Sequence, residues 1–238
     1  MINYFVLDNQ CSRDYGLYIS GSGVFNAPER DVETISIPGR DGDLIKDNNR
    51  YKNIQLTYPA FVRREFLPRV DAIKMWLMQD AGYQRLEDTY NPDYYRMARF
   101  AGPLNFDMRA LNRAGETSIT FDCKPQRWRK DGQDPIVITG GAGTIYNDLL
   151  PSRPLIRING TTTDQVVVYV GKYPVIIKEM TGHITIDSDT QNAYRNTVNQ
   201  NQNVSIADFP VLQHGTTKIR WTSDAITSVE IIPRWWTI

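Results

Sequence analysis

Between Cys123 and Pro135 the chain reads CKPQRWRKDGQDP, and this stretch most limits the folds open to it. Before it, Thr117, Ile119, Phe121 and Cys123 alternate with Ser118, Thr120, Asp122 and Lys124, the period-two pattern of a strand with one buried face. Five charged residues then lie between Pro125 and Pro135, leaving little to bury and a backbone suited to an exposed linker. The stretch is therefore expected to divide the 238 residues into two domains, 1–132 and 133–238, each long enough for its own core. A surface loop inside one larger domain is the alternative reading.

Charge narrows the partners. Residues 1–132 carry 19 basic and 18 acidic side chains and the remainder 8 and 9, so neither half is a basic nucleic-acid binder. Cys11 and Cys123 are the only cysteines, far apart and outside metal-ligand spacing, and both are expected to be reduced. The opening MINYFVLDNQC lacks the basic and apolar regions of a signal peptide, and nowhere do 18 apolar residues run together. Synthesis in the cytoplasm without membrane insertion is the expectation.

The first domain reads as mostly β with one helix. Asn3–Leu7, Gly16–Ser20, Val32–Ile37, Tyr51–Ala60, Tyr94–Phe100, Leu104–Met108 and Thr117–Cys123 are strand candidates, with turns at Pro38–Asp43 and Asn112–Gly115. The helix is placed over Pro68–Gln79, because Phe66, Val70, Ile73 and Leu77 recur at spacings of four, three and four. Pro68 suits its first turn and Gly82 its exit. Met75, Trp76 and Met78 widen the apolar stripe, by core packing or by subunit contact. In the second domain, short alternating runs such as Ile156–Ile158, Ile184–Ile186, Ile219–Trp221 and Val229–Ile231 predict a two-sheet sandwich or jelly roll. Gly140–Thr144 is read as a flexible connection between strands.

Catalytic chemistry finds few candidates. Two histidines, His183 and His214, give a metal site or a Ser-His relay few members. Asp187-Ser188-Asp189 begins like a calcium loop but lacks its Gly and its final Glu. No catalytic residue, metal or cofactor is assigned. Trp221, Trp235 and Trp236 could stack on sugar, although adjacent Trp235 and Trp236 must face opposite ways if extended.

A series of phrases then runs in order along the chain: IPGRDGDL at 37–44, CKPQRW at 123–128, PLIRING at 154–160, ITID at 184–187 with Ala193-Tyr194, DFPVLQHGTTKI at 208–219, and IPRWW at 232–236. Together they resemble the distal tail proteins of siphoviruses, phages with long non-contractile tails. The resemblance implies an N-terminal β-sandwich belt domain with one helix, followed by a C-terminal galectin-like β-sandwich. It implies a non-enzymatic virion protein at the tail tip or baseplate. In that role a hexameric ring joins the tail tube protein to the tail hub protein, DNA passes through the channel, and the outer domain docks receptor-binding protein. Arg40, Asp41, Asp43 and the helix face with Trp76 are the candidate subunit contacts; Trp235 and Trp236 are candidates for sugar or partner contact. A carbohydrate-binding tail protein is the alternative, and a cell-wall-degrading enzyme a third reading.

Overall fold

The computed structural model describes residues 2–21, 25–109 and 114–238. They form two compact units, Met1–Arg127 with Ile238, and Trp128–Thr237, so the division falls inside the 123–135 stretch. That stretch is more ordered than a linker. Arg127–Arg129 is extended, Lys130–Gln133 forms a single 3-10 turn, and Gly132 is buried. A Cβ on Gly132 would come within 2.5 Å of the Trp235 backbone nitrogen, so the close approach requires glycine.

The first unit contains β1 (Phe5–Leu7), β2 (Gln10–Cys11), β3 (Leu17–Ile19), β4 (Arg30–Ile35), β5 (Leu44–Tyr51), β6 (Ile54–Arg63), α1 (Phe66–Met78), β7 (Gln84–Asp88), β8 (Tyr94–Phe100), β9 (Phe106–Arg109) and β10 (Ala114–Cys123). Its main sheet runs β2-β1-β7-β8-β10-β6-β3, and β9 pairs with the start of β10. The sheet curls until its ends meet, because the Ile19 N–H donates to the Asn3 carbonyl at 3.0 Å. The long β6–β10 pair anchors it, from Arg63 opposite Ala114 to Ile54 opposite Cys123. The expected turn at Asn112–Gly115 lies partly outside the described residues.

Inward-facing Leu56, Tyr58, Ala60 and Val62 of β6 and Ile119, Phe121 and Cys123 of β10 form the core. Helix α1 adds Phe66, Val70, Ile73, Trp76 and Leu77, the expected stripe, and begins two residues earlier than the spacing predicts. Phe5 lies at the centre, stacked on Trp76 at 5.5 Å between ring centroids and edge-on to Phe121 at 5.3 Å. Trp76 is sandwiched by Tyr15 on its other side, at 4.4 Å and 2° between planes. Such pairs add to the burial of the rings.

The remaining strands are β11 (Arg127–Arg129), whose first residue ends the first unit, and, in the second unit, β12 (Ile136–Thr139), β13 (Ala142–Asn147), β14 (Leu155–Thr162), β15 (Val166–Val170), β16 (Tyr173–Ile177), β17 (Met180–Asp187), β18 (Asn192–Arg195), β19 (Val198–Asn199), β20 (Val204–Ser205), β21 (Gly215–Arg220), β22 (Ile226–Ile232) and β23 (Trp236–Thr237). One sheet runs β12-β22-β14-β17-β18-β19 and the other β13-β21-β15-β16-β20. Ile156, Ile158, Ile184, Ile186, Val229 and Ile231 from the first meet Val168, Val170, Val175, Ile177 and Ile219 from the second in one core, as the alternation predicts. The Gly140–Thr144 segment is not a flexible connection. Gly140 and Gly141 take positive φ in a tight turn, and Ala142–Asn147 pairs along β21 from Arg220 to Gly215.

A polar lock closes this unit. Arg234 donates to both carboxylate oxygens of Asp187, at 2.7 and 3.1 Å, while the Asp189 and Thr190 N–H groups donate to Asp187 Oδ1. Burial pushes the Asp187 carboxyl up, but Arg234 and the backbone donors outweigh it and hold it below its ordinary value. Stability from this group is therefore complete above the unfolded-state value of about 3.9 and is lost as pH falls through the lower folded-state value. Urea titrations should show Asp187→Asn less stable than the parent by about 1.5–3 kcal/mol at neutral pH, with the gap narrowing below pH of about 4. A gap that stays constant to low pH would exclude this account. For the first unit, Trp76→Ala should cost about 3–5 kcal/mol in the same assay.

Candidate functional site

Strands β4 and β5 stand apart from the main sheet as a two-stranded arm. Apart from Asp31 and Tyr51 their residues are exposed, so neither strand is held by an apolar core. An isolated hairpin is marginal in water. Cross-strand charge supports this one: Arg30 donates to Asp47 at 2.8 Å, Arg50 to Asp31 at 2.6 Å and Lys46 to Glu33 at 3.0 Å, and Lys52 approaches Glu29 at 3.4 Å. Hydrogen bonds from Arg30 to Asp47 and from Arg50 to Asp31 hold both carboxyls below their ordinary values. The signal was present in sequence, as acidic residues at 29, 31 and 33 facing Lys46, Arg50 and Lys52 across a glycine turn.

That turn, 36–43, carries Arg40, Asp41 and Asp43, all fully at the surface. Gly39 and Gly42 adopt φ of 81° and 79°, the conformation that bends the arm back on itself. Beside the charges the arm exposes Ile45 (68%) and Leu44 (48%), an apolar tip with no cover in the unit.

Trp76 itself is largely buried: only 5% of it is exposed, because Phe5 and Tyr15 hold its two faces. The outward side of α1 instead presents Leu67, Met75 and Met78, the last two 75% and 66% exposed. Of the two accounts of the widened stripe, core packing does not apply to Met75 and Met78, which are exposed. Their three-residue spacing, offset from Val70, Ile73 and Leu77, marks a second face. With Tyr15, Ala72, Trp76 and Gln79 they line a shallow groove on the unit.

The tryptophans of the second unit differ in burial. Trp235 is buried against Gly132, and its carbonyl accepts from the Arg129 N–H at 2.9 Å. Trp236 is half-buried, with Nε1 donating to the Pro151 carbonyl at 3.0 Å and its ring 6.4 Å from that of Trp128. Trp221 is also core, its Nε1 donating to the Ile226 carbonyl. Among the described residues there is no cluster of three or more His, Cys, Asp and Glu side chains that could hold a metal, and no helix long and apolar enough to cross a membrane.

No family model matches the sequence. No curated protein matches it either. Solved structures do. The SPP1 Dit protein, described as a paradigm of the hub adsorption apparatus in phages infecting Gram-positive bacteria, superposes with a TM-score of 0.77 at 12% identity, covering 97% of this chain and 98% of that one. A chain of the phage P2 baseplate in its activated, calcium-bound conformation gives 0.53 at 9% identity, and one of its strontium-bound form 0.52 at 10%, each over 97% of this chain and 98% of that one. The resemblance of the sequence phrases and the architecture thus converge, and the chain has the fold of a siphovirus distal tail protein over nearly its whole length.

Proposed function

We propose that the chain is a structural virion protein of a phage tail tip or baseplate, a distal tail protein without catalytic activity. The observation that carries this reading is the likeness in fold to SPP1 Dit along the length of both chains. In this role the first unit assembles a hexameric ring between the tail tube and the tail hub. The ring leaves a channel for DNA, and the second unit, a galectin-like sandwich, docks receptor-binding components.

The surfaces of the first unit support ring formation. A heterologous contact closes a ring when an arm on one copy meets a different patch on the next. The unit offers both an arm with an apolar tip and, elsewhere, an apolar helix face. Arg40, Asp41 and Asp43 border the tip and are the proposed polar contacts. For the sugar-binding alternative Trp235 lies in the core, which leaves the half-buried Trp236 as its aromatic candidate.

Light scattering after size exclusion tests the reading. Across rising concentration the protein should approach the mass of six chains of 27.3 kDa each. A single monomeric mass at every concentration, with or without purified tail hub protein, would sink the ring. Met75→Glu combined with Ile45→Asp should lower the assembled fraction at least roughly tenfold and leave thermal stability unchanged, since exposed substitutions of this kind typically move stability by no more than about 0.5 kcal/mol. Equal assembly by this variant would remove both surfaces from the contact.

A further inference from the structure

In the first unit a small recess is lined by residues that include Tyr58, Asp88, Asn91, Tyr94, Arg96 and Arg127. Arg96 projects inward from β8, next to core residue Ala98, and is only 6% exposed. Its Nη1 donates to the Pro125 carbonyl at 3.2 Å, while its Nη2 is buried and meets no acceptor in the protein. The Nε of Arg127 is likewise buried without an acceptor, its guanidinium lying 4.7 Å from the centre of the Tyr94 ring. Two cations therefore converge on one recess, each with an N–H left over.

The surrounding groups do not neutralise them. Asp88 is the only acidic side chain lining the recess, and it is committed elsewhere, accepting from the Tyr58 hydroxyl at 2.9 Å and from the Tyr90 and Asn91 N–H groups at 2.8 and 2.9 Å. Cys123 is buried nearby; burial pushes its thiol up to about 12, so it stays neutral. The two guanidiniums and one carboxylate leave the recess with a net charge of one positive unit. Leaving a buried cation uncompensated is costly, and buried charges are held with partners. The free space is about 10 Å³ for the centre of a water-sized sphere, room for a single small species and too little for a tetrahedral oxyanion.

We propose that Arg96 and Arg127 bind one small monovalent anion of the halide class, chloride under cellular conditions, in this recess. The anion accepts from Arg96 Nη2 and Arg127 Nε and brings the recess to neutrality. It thereby fixes β8 against the segment that follows β10. Arg96 and Arg127 are anion ligands in this account, and the Tyr58–Asp88 pair forms the wall behind them.

Thermal unfolding of the full chain, at constant ionic strength with chloride replacing gluconate, tests the site. The midpoint should rise saturably, by several degrees between roughly 1 and 100 mM chloride. Bromide should substitute, while sulfate and phosphate should not. Arg127→Gln should weaken the response at least roughly tenfold in chloride concentration, and Arg96→Met should abolish it. Should Arg96→Met fail to fold, the chloride NMR linewidth of the unmodified protein decides: excess broadening displaceable by bromide supports the site. A midpoint that follows ionic strength alone, with no displaceable broadening, would mean that water fills the recess and would overturn the proposal.

Discussion

Every strand must place its backbone N–H and C=O groups, and the first unit is arranged by how that demand is met. Its main sheet nearly abolishes its own edges by curling until Ile19 bonds Asn3. The β4–β5 arm pairs with none of the main sheet's strands. It remains a separate ribbon with unpaired outer edges and exposed side chains on both faces. The ion-pair ladder from Glu29 to Lys52 keeps the ribbon paired to itself, and its charges discourage indiscriminate strand addition. An arm of this kind is held by its own ion pairs and leaves its apolar tip uncovered by the described residues of its unit.

Inside, packing leaves few places for charge, and each is handled differently. Tyr58 is completely buried, yet its hydroxyl reaches Asp88, which in turn holds the turn after β7 through Tyr90 and Asn91. Asp187 ties the turn after β17 to Arg234, and thus to the segment after β22. In both cases one carboxylate satisfies backbone donors and a side chain at once. Arg96 departs from this pattern, with one hydrogen bond to a carbonyl and an Nη2 that meets no acceptor among the described residues.

Much of the fold was legible because burial leaves a period. The stripe Phe66, Val70, Ile73 and Leu77 is the buried face of α1, and the alternations around Ile156, Ile184 and Val229 are inner faces of the sandwich. Strand β13 was illegible because its first residues are Ala142 and Gly143, which carry no strand preference; pairing with β21 forces the extended form. The 123–135 stretch reads as a linker by composition, yet the exclusion of a side chain at Gly132 lets the chain pack closely on Trp235. The candidate surface was legible only in part. Arg40, Asp41 and Asp43 are exposed as a glycine turn predicts, whereas Trp76 and Trp235 are aromatic residues whose burial depends on neighbours distant in sequence, Phe5 and Tyr15 for one and Gly132 for the other.

The same reasoning explains how a chain only 12% identical to SPP1 Dit keeps its fold. A curled sheet with a helix and a two-sheet sandwich ask for apolar residues at alternate positions and tolerate many choices among them, so cores drift while the pattern persists. What cannot drift freely are positions where backbone approaches backbone or one carboxylate serves several donors. Gly132, Asp187 and Arg234 are such positions here, and Asp187 and Arg234 fall within the phrases that carry the sequence resemblance. Those phrases therefore record constraints of architecture. The exposed arm tip and the methionines of α1 lie under no such packing constraint from the described residues of their own unit.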